Sequence, residues 1–266
     1  MQLVPIDDPS DPRIAAYRDI RERDLVGRQG RFIAEGKVVL ETLLASSRFE
    51  AESVMVLQSR LAGLSEILAK APSGLPVYVV AGPVMDEVAG FPVHRGILAI
   101  GRRPPVTDAG RLLASLPTRA LALVLVGISN HDNIGSIFRN AAAFGADAIF
   151  LDRTCCDPLY RKAIRVSTGS VLRVPYAIFD DSAAFAGILA ENGFESFALS
   201  PRGAADIRNI RPGKRTALFL GTEGTGLPRT LLERMNTLRI AMTDGFDSLN
   251  VAAASAIVLH HLYQGD

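Results

Sequence analysis

The stretch Thr216–Ala256, TALFLGTEGTGLPRTLLERMNTLRIAMTDGFDSLNVAAASA, alternates short apolar runs with turns rich in Gly, Asp, Ser and Asn. Ala217 to Leu220 is short and apolar, as a buried strand is. Gly221, Gly224 and Gly226 then break the run where a ligand can approach the backbone closely. A lone acid, Glu223, sits inside that turn. Leu238 to Met242 is a second strand candidate, Asp244-Gly245 turns the chain, and Asp247 or Ser248 is placed to cap a helix that stays apolar almost to the C-terminus. Two polar loops that each follow a buried strand make one compact site if the strands are neighbours. The expectation is a small-molecule site in an α/β domain.

Working outward, Leu121 to Val126 (LALVLV) is apolar without alternation, the pattern of a strand buried on both faces of a parallel sheet. After it, Asn133 is expected to cap a helix whose residues Ile134, Ile137, Phe138, Ala141 and Ala142 share a broad face, with Arg139 and Asn140 near its edge. Gly145 closes that helix, and Ala148 to Leu151 reads as the next strand. Upstream, Gly101-Arg102-Arg103-Pro104-Pro105 reads as a linker. Before it, Val54–Leu57, Val77–Val80 and Ile97–Ile100 are short β-rich runs, and Val38–Leu44 reads as a helix. Two domains follow, residues 1–103 and 104–266, each α/β.

Composition narrows the function classes. The 266 residues are 48% hydrophobic and 21% charged, with a formal charge of +1, which argues against a generally basic coat. Local excesses remain: Arg161, Lys162, Arg165 and Arg173 in one segment, and Arg202, Arg208, Arg211, Lys214 and Arg215 in another. Two basic clusters in a near-neutral chain fit a directional anionic partner. Between Asp11 and Lys37, Arg28 and Arg31 offer further phosphate contacts beside mobile-natured glycines, although such a mixed run also reads as a solvated helical face. Cys155 and Cys156 are adjacent and are the only cysteines, so a disulfide framework is excluded, and no CxxC or HExxH spacing points to a metal. The N-terminus has no signal-peptide pattern and no apolar run is long enough for a membrane span, so a cytoplasmic setting is expected. The spacing Gly221-x-x-Gly224-x-Gly226 is not a dinucleotide fingerprint, and no Walker motif occurs.

Three pieces, NIGSIFRNAAAFG (Asn133–Gly145), LGTEGTGLP (Leu220–Pro228) and IAMTDGFDSLNVAAA (Ile240–Ala254), together resemble the three motifs of the SpoU/TrmH family of RNA 2′-O-ribose methyltransferases in the SPOUT superfamily. Arg31-Phe32-Ile33-Ala34-Glu35-Gly36 and His94-Arg95-Gly96-Ile97-Leu98-Ala99 resemble the start and end of the small L30e-like substrate-binding domain that precedes many rRNA-directed members. The resemblance implies a C-terminal catalytic domain with a parallel sheet and a deep trefoil knot, S-adenosyl-L-methionine as cofactor, RNA as substrate (rRNA favoured over tRNA), and a homodimer with the active site close to the subunit interface. It assigns catalytic roles to Arg139, Asn133, Glu223, Ser248 and Asn250. Cofactor contacts fall to Leu199, Ser200, Gly221, Gly224, Ile240, Met242 and Leu249; the basic clusters and the entry signature of the first domain add Arg28, Arg31, Glu35, Arg161, Arg165 and Arg202 as candidate substrate contacts. No metal is implied. Asp132 and Ala241 stand where the family commonly has proline.

Methyl transfer to a hydroxyl needs alignment and loss of a proton. A guanidinium, with a pKa above about 12, is a poor base, so Arg139 is expected to hold a phosphate or stabilise a developing alkoxide. The competing reading is a non-catalytic RNA-binding homologue of the same fold, which a looser cofactor loop at Ala241 would favour.

Overall fold

A computed structural model of the chain describes residues 1–18, 26, 29–90, 93 and 95–263. They form two compact units, residues 1–105 with 158–173, and residues 106–157 with 174–266. Arg28 and His94 lie outside the described residues.

In the first unit, β1 (Gln2–Ile6), β2 (Arg31–Glu35), β3 (Glu50–Leu57), β4 (Pro76–Val80) and β5 (Ile97–Arg102) make a mixed sheet in the order β1-β4-β3-β5-β2. The expected runs at Val54, Val77 and Ile97 lie inside β3, β4 and β5, and helix α1 (Lys37–Leu44) follows β2. Two strands escaped the sequence reading. β1 pairs parallel with β4 from Gln2↔Pro76 to Ile6↔Val80, and β2 pairs antiparallel with β5. Both are edge strands. Phe32 on β2 faces Gly101 on β5. A Cβ at Gly101 would stand 2.2 Å from the Phe32 ring, so the absent side chain is the slot that the ring fills.

Segment 158–173, expected in the catalytic half, packs with the first unit. Its helix α2 (Arg161–Val166) buries Ala163 and Ile164, and Val171 and Leu172 follow them into the interior. Gly169, at φ +82°, sits against α1, where a Cβ would come 3.3 Å from Thr42 Oγ1. Arg161 reaches Glu35 at the end of β2: Nη2 and Nε donate to Oε2 at 2.7 and 3.1 Å. Both side chains are largely withdrawn from solvent.

The second unit holds a seven-stranded, all-parallel sheet: β6 (Ala120–Val126), β7 (Ala148–Asp152), β8 (Tyr176–Phe179), β9 (Glu195–Leu199), β10 (Ala205–Asp206), β11 (Arg215–Gly221) and β12 (Asn236–Arg239), ordered β10-β12-β9-β11-β6-β7-β8. β6 and β11 are buried almost end to end, as their unalternating apolar runs require. From β6 the chain steps outward through β7 and β8. It then continues on the other side with β9, and β11 inserts between β9 and β6. The strand order therefore reverses beside β6, and such a reversal opens a crevice at the carboxyl ends of the strands. Helices α3 (His131–Ala143) and α4 (Val251–Leu262) pack against each other in this unit.

β11 and β12 are not neighbours: β9 lies between them. The expectation of two adjacent strands bearing the site is corrected to three strands, each with its own loop.

Removing one member of the Glu35–Arg161 pair strands a charge away from water. Arg161→Met should therefore destabilise the first unit by about 3–5 kcal/mol, and the double change Glu35→Leu/Arg161→Met should recover much of that loss. Chemical denaturation of the three proteins followed by circular dichroism checks this.

Candidate active site

Three polar loops leave the carboxyl ends of β9, β11 and β12, and they surround one cleft of about 990 Å³. Leu199, Ser200 and Arg202 come from the first loop, Gly221 to Gly226 from the second, and Ile240, Met242 and Phe246 to Asn250 from the third. All seven residues assigned to the cofactor by resemblance line this cleft: Leu199, Ser200, Gly221, Gly224, Ile240, Met242 and Leu249. The glycines shape it. Gly226 N donates to Thr222 O at 3.0 Å, folding the loop back on Gly221 so closely that a Cβ there would lie 2.4 Å from the Gly226 carbonyl carbon. Gly224 and Gly226 hold φ of +87° and +68°, a region that favours glycine.

The carboxylate in this turn is fixed from two sides. Asn133 Nδ2 donates to Glu223 Oε1 at 2.8 Å, and Asn250 Nδ2 donates to the same oxygen at 2.7 Å. Asn250 Nδ2 also lies 2.9 Å from Asn133 Oδ1, closing a triangle. Residues from all three motifs thus meet at one oxygen. Ser248 lines the cleft beside them.

The caps differ from the sequence expectation. α3 is capped by Asn130, whose Oδ1 accepts from Asp132 N at 2.8 Å. Asn133 is buried inside the first turn, which frees its amide for Glu223. α4 is capped by Asn250 rather than Asp247 or Ser248, with Oδ1 accepting from Ala252 N and Ala253 N at 2.9 and 3.2 Å. Asn250 therefore uses its oxygen to start a helix and its nitrogen to hold a carboxylate. A further residue, Asn140, donates to Ala252 O and Ser255 Oγ at 2.8 and 2.9 Å and clamps α3 to α4. It stands one α-helical repeat of seven from Asn133, so that spacing was the available signal.

Arg139 stands elsewhere. It is exposed on α3 and is not among the residues lining the cleft. Of the residues assigned to substrate, Arg202 is exposed at the cleft. Arg31, Glu35, Arg161 and Arg165 belong to the first unit. There Arg31 pairs with Glu52, with Nε donating at 2.9 Å, and Glu35 and Arg161 hold each other, whereas Arg165 is exposed.

Asp152, at the end of β7, accepts from Gly127 N at 3.1 Å and from Thr154 N and Cys155 N at 3.0 and 2.9 Å. It ties down the loop that leads into α3. Burial pushes the Cys156 thiol up to about 12 and the Cys155 thiol further still, helped by Asp152. Neither thiol is a nucleophile at neutral pH. No group of three or more metal-ligating side chains occurs among the described residues, and no described helix is long and apolar enough to cross a membrane.

Asn250→Ser keeps a cap but loses the bond to Glu223 and should lower stability by about 1 kcal/mol, whereas Asn250→Ala loses the cap as well and should lower it by about 2 kcal/mol. Both remove the amide that holds Glu223, so thermal melts separate the two jobs of this residue. At pH 8, alkylation of Cys155 and Cys156 by iodoacetamide should run roughly a hundredfold or more slower than that of a free cysteine. Mass spectrometry of the native and unfolded protein measures it.

Comparison with known proteins accords with this geometry. The model of the SpoU rRNA Methylase family matches residues 120–260. An uncharacterised tRNA/rRNA methyltransferase of Mycobacterium bovis is 40% identical over 262 residues, which cover 95% of this chain and 89% of its own. The crystal structure of an RNA 2′-O ribose methyltransferase, 26% identical, superposes with a TM-score of 0.78 over 97% of each chain. The AdoMet-bound rRNA methyltransferase from Sinorhizobium meliloti shares the fold at 24% identity, with a TM-score of 0.79 over 98% of this chain and 97% of that one. With its motifs gathered on one carboxylate and the family model spanning most of the parallel-sheet unit, the chain belongs to the SpoU rRNA methylase family.

Proposed function

We propose that this chain transfers a methyl group from S-adenosyl-L-methionine to a ribose 2′-hydroxyl of RNA, with rRNA favoured over tRNA. The observation that carries the reading is the meeting of Asn133, Glu223 and Asn250 beside a cleft lined by every residue assigned to the cofactor. The lining suits the group. Leu220, Ile240, Met242 and Leu249 offer apolar walls, and Glu223 and Asp247 place two acids in the same lining, which suits a ligand with cationic centres. Bound there, S-adenosyl-L-methionine supplies an electrophilic methyl group.

The protein's contribution is alignment, for which orientation alone can supply roughly 7 kcal/mol or more. Two amides fix Oε1 of Glu223, and this sets the direction of the carboxylate for orienting the ribose. Ser248 serves the same side of the cleft, and Arg202 meets the RNA backbone. The first unit, read as L30e-like, presents Arg165 to RNA, while Glu35 and Arg161 keep its helix in place. The knotted threading of the family belongs to this reading, and so does a homodimer. Arg139 is exposed and stands off the cleft lining, which supports its acting on the ribose or phosphate bound by a second copy.

Tritiated methyl transfer to unmodified total rRNA and total tRNA tests the activity. Ribose methylation of one pool, lost in Arg139→Ala with cofactor binding kept, is the expected result. No transfer and no cofactor binding by calorimetry would leave a non-catalytic RNA-binding relative. Mixing Arg139→Ala with Glu223→Gln chains should restore transfer if the arginine acts across the dimer, and inactivity of the mixture would show that it acts within its own subunit.

A further inference from the structure

Phe246 is 62% exposed, among the largest exposures of any apolar side chain in the described residues, yet it belongs to the lining of the cleft. It rides on the loop between β12 and α4, at a turn in which Phe246 N donates to Thr243 O at 3.4 Å and Gly245 takes φ +81°. No other ring stacks on it among the described residues. An apolar ring held open at the mouth of a polar site leaves unused most of the roughly 1.5–3 kcal/mol that its burial would contribute.

Two observations say what covers it. The loop is acidic, with Asp244 and Asp247 flanking the ring, so it repels a phosphate backbone and suits the face of a base. Arg202, exposed on a different loop of the same cleft, supplies the cation that a phosphate needs. The cleft, about 990 Å³, stands at the upper end of the roughly 300–1,000 Å³ range of single-ligand sites, which leaves room for part of a second reactant. We infer that Phe246 stacks on an unpaired base at or beside the methylated nucleotide, and so selects single-stranded or looped RNA over duplex. Bases in an A-form helix are stacked on each other and cannot offer a face to a side chain, whereas splayed bases stack readily on Phe. The inference rests on the RNA methylation proposed above.

The test compares the full-length protein with Phe246→Leu and Phe246→Trp. Phe246→Leu keeps apolar bulk and removes the ring, and an exposed position tolerates both changes. For the RNA pool that the parent methylates, kcat/KM should fall roughly 5- to 150-fold in Phe246→Leu and return with Phe246→Trp. Cofactor affinity measured by calorimetry without RNA should not change, nor should sedimentation. Anisotropy of a labelled single-stranded oligoribonucleotide should show the same order of affinities without depending on catalysis. Equal RNA affinity in all three proteins overturns the inference. Weakened cofactor binding or an altered oligomer in Phe246→Leu, with RNA affinity kept, overturns it as well and assigns the ring to the cofactor or to a second copy. Should the parent bind RNA through Phe246 but transfer no methyl group, the methylation reading fails and the stacking role stands.

Discussion

One carboxylate oxygen, Oε1 of Glu223, accepts from amides on two different segments, and the site takes its form from that sharing. Each bond contributes only about 1 kcal/mol net, somewhat more to a charged acceptor. Their value lies in what must be true for both to form. β6 and β11 must be neighbours in register, from Arg215↔Ala120 to Gly221↔Val126, so that the turn carrying Glu223 ends level with the start of α3. Asn250 must also arrive at the first turn of α4 with its nitrogen turned toward the carboxylate. A parallel sheet buried on both faces supplies that rigidity, and loops alone would not.

Economy of side chains follows from crowding. Asn250 caps one helix and holds a carboxylate with opposite ends of one amide, and Asn140 bonds the backbone and a hydroxyl of α4 together. Asparagine suits such places because it carries donors and acceptors at a short, fixed reach. A serine or an aspartate in place of Asn250 can still cap the helix, but neither brings the amide that donates to Glu223, so substitutions here separate stability from alignment.

The apolar runs at Leu121–Val126, Ala148–Leu151 and Ala217–Leu220 made the central strands legible, because burial on both faces leaves no room for polar residues. The ends of elements were less legible. α3 starts three residues before the expected Asn133, with Asn130 as its cap, and nothing local to Asn133 marks that difference. In Asp247-Ser248-Leu249-Asn250 three capping residue types compete, and only tertiary contact with Glu223 picks the last. The placement of β9 between β11 and β12 leaves no local mark, since each strand's pattern is the same whichever neighbour it has. Segment 158–173 reads as an ordinary basic helix, and nothing in its composition says which sheet it covers. The residues that the motif resemblance assigns to the cofactor line one cleft, while the exposure of Arg139 and the mutual capture of Glu35 and Arg161 emerged only from the coordinates.

That borrowed segment has a consequence for biogenesis. The chain passes between the two units after residues 105, 157 and 173, so the first unit is built from two separate stretches of sequence. A nascent chain with residues 1–105 already outside the ribosome still lacks the strand-side helix that neutralises Glu35. At roughly 5–20 residues per second, several seconds pass before the missing piece emerges. In that interval the β2 edge stands open with an unpaired acid on it, a deterrent to other strands that becomes a docking point once Arg161 arrives.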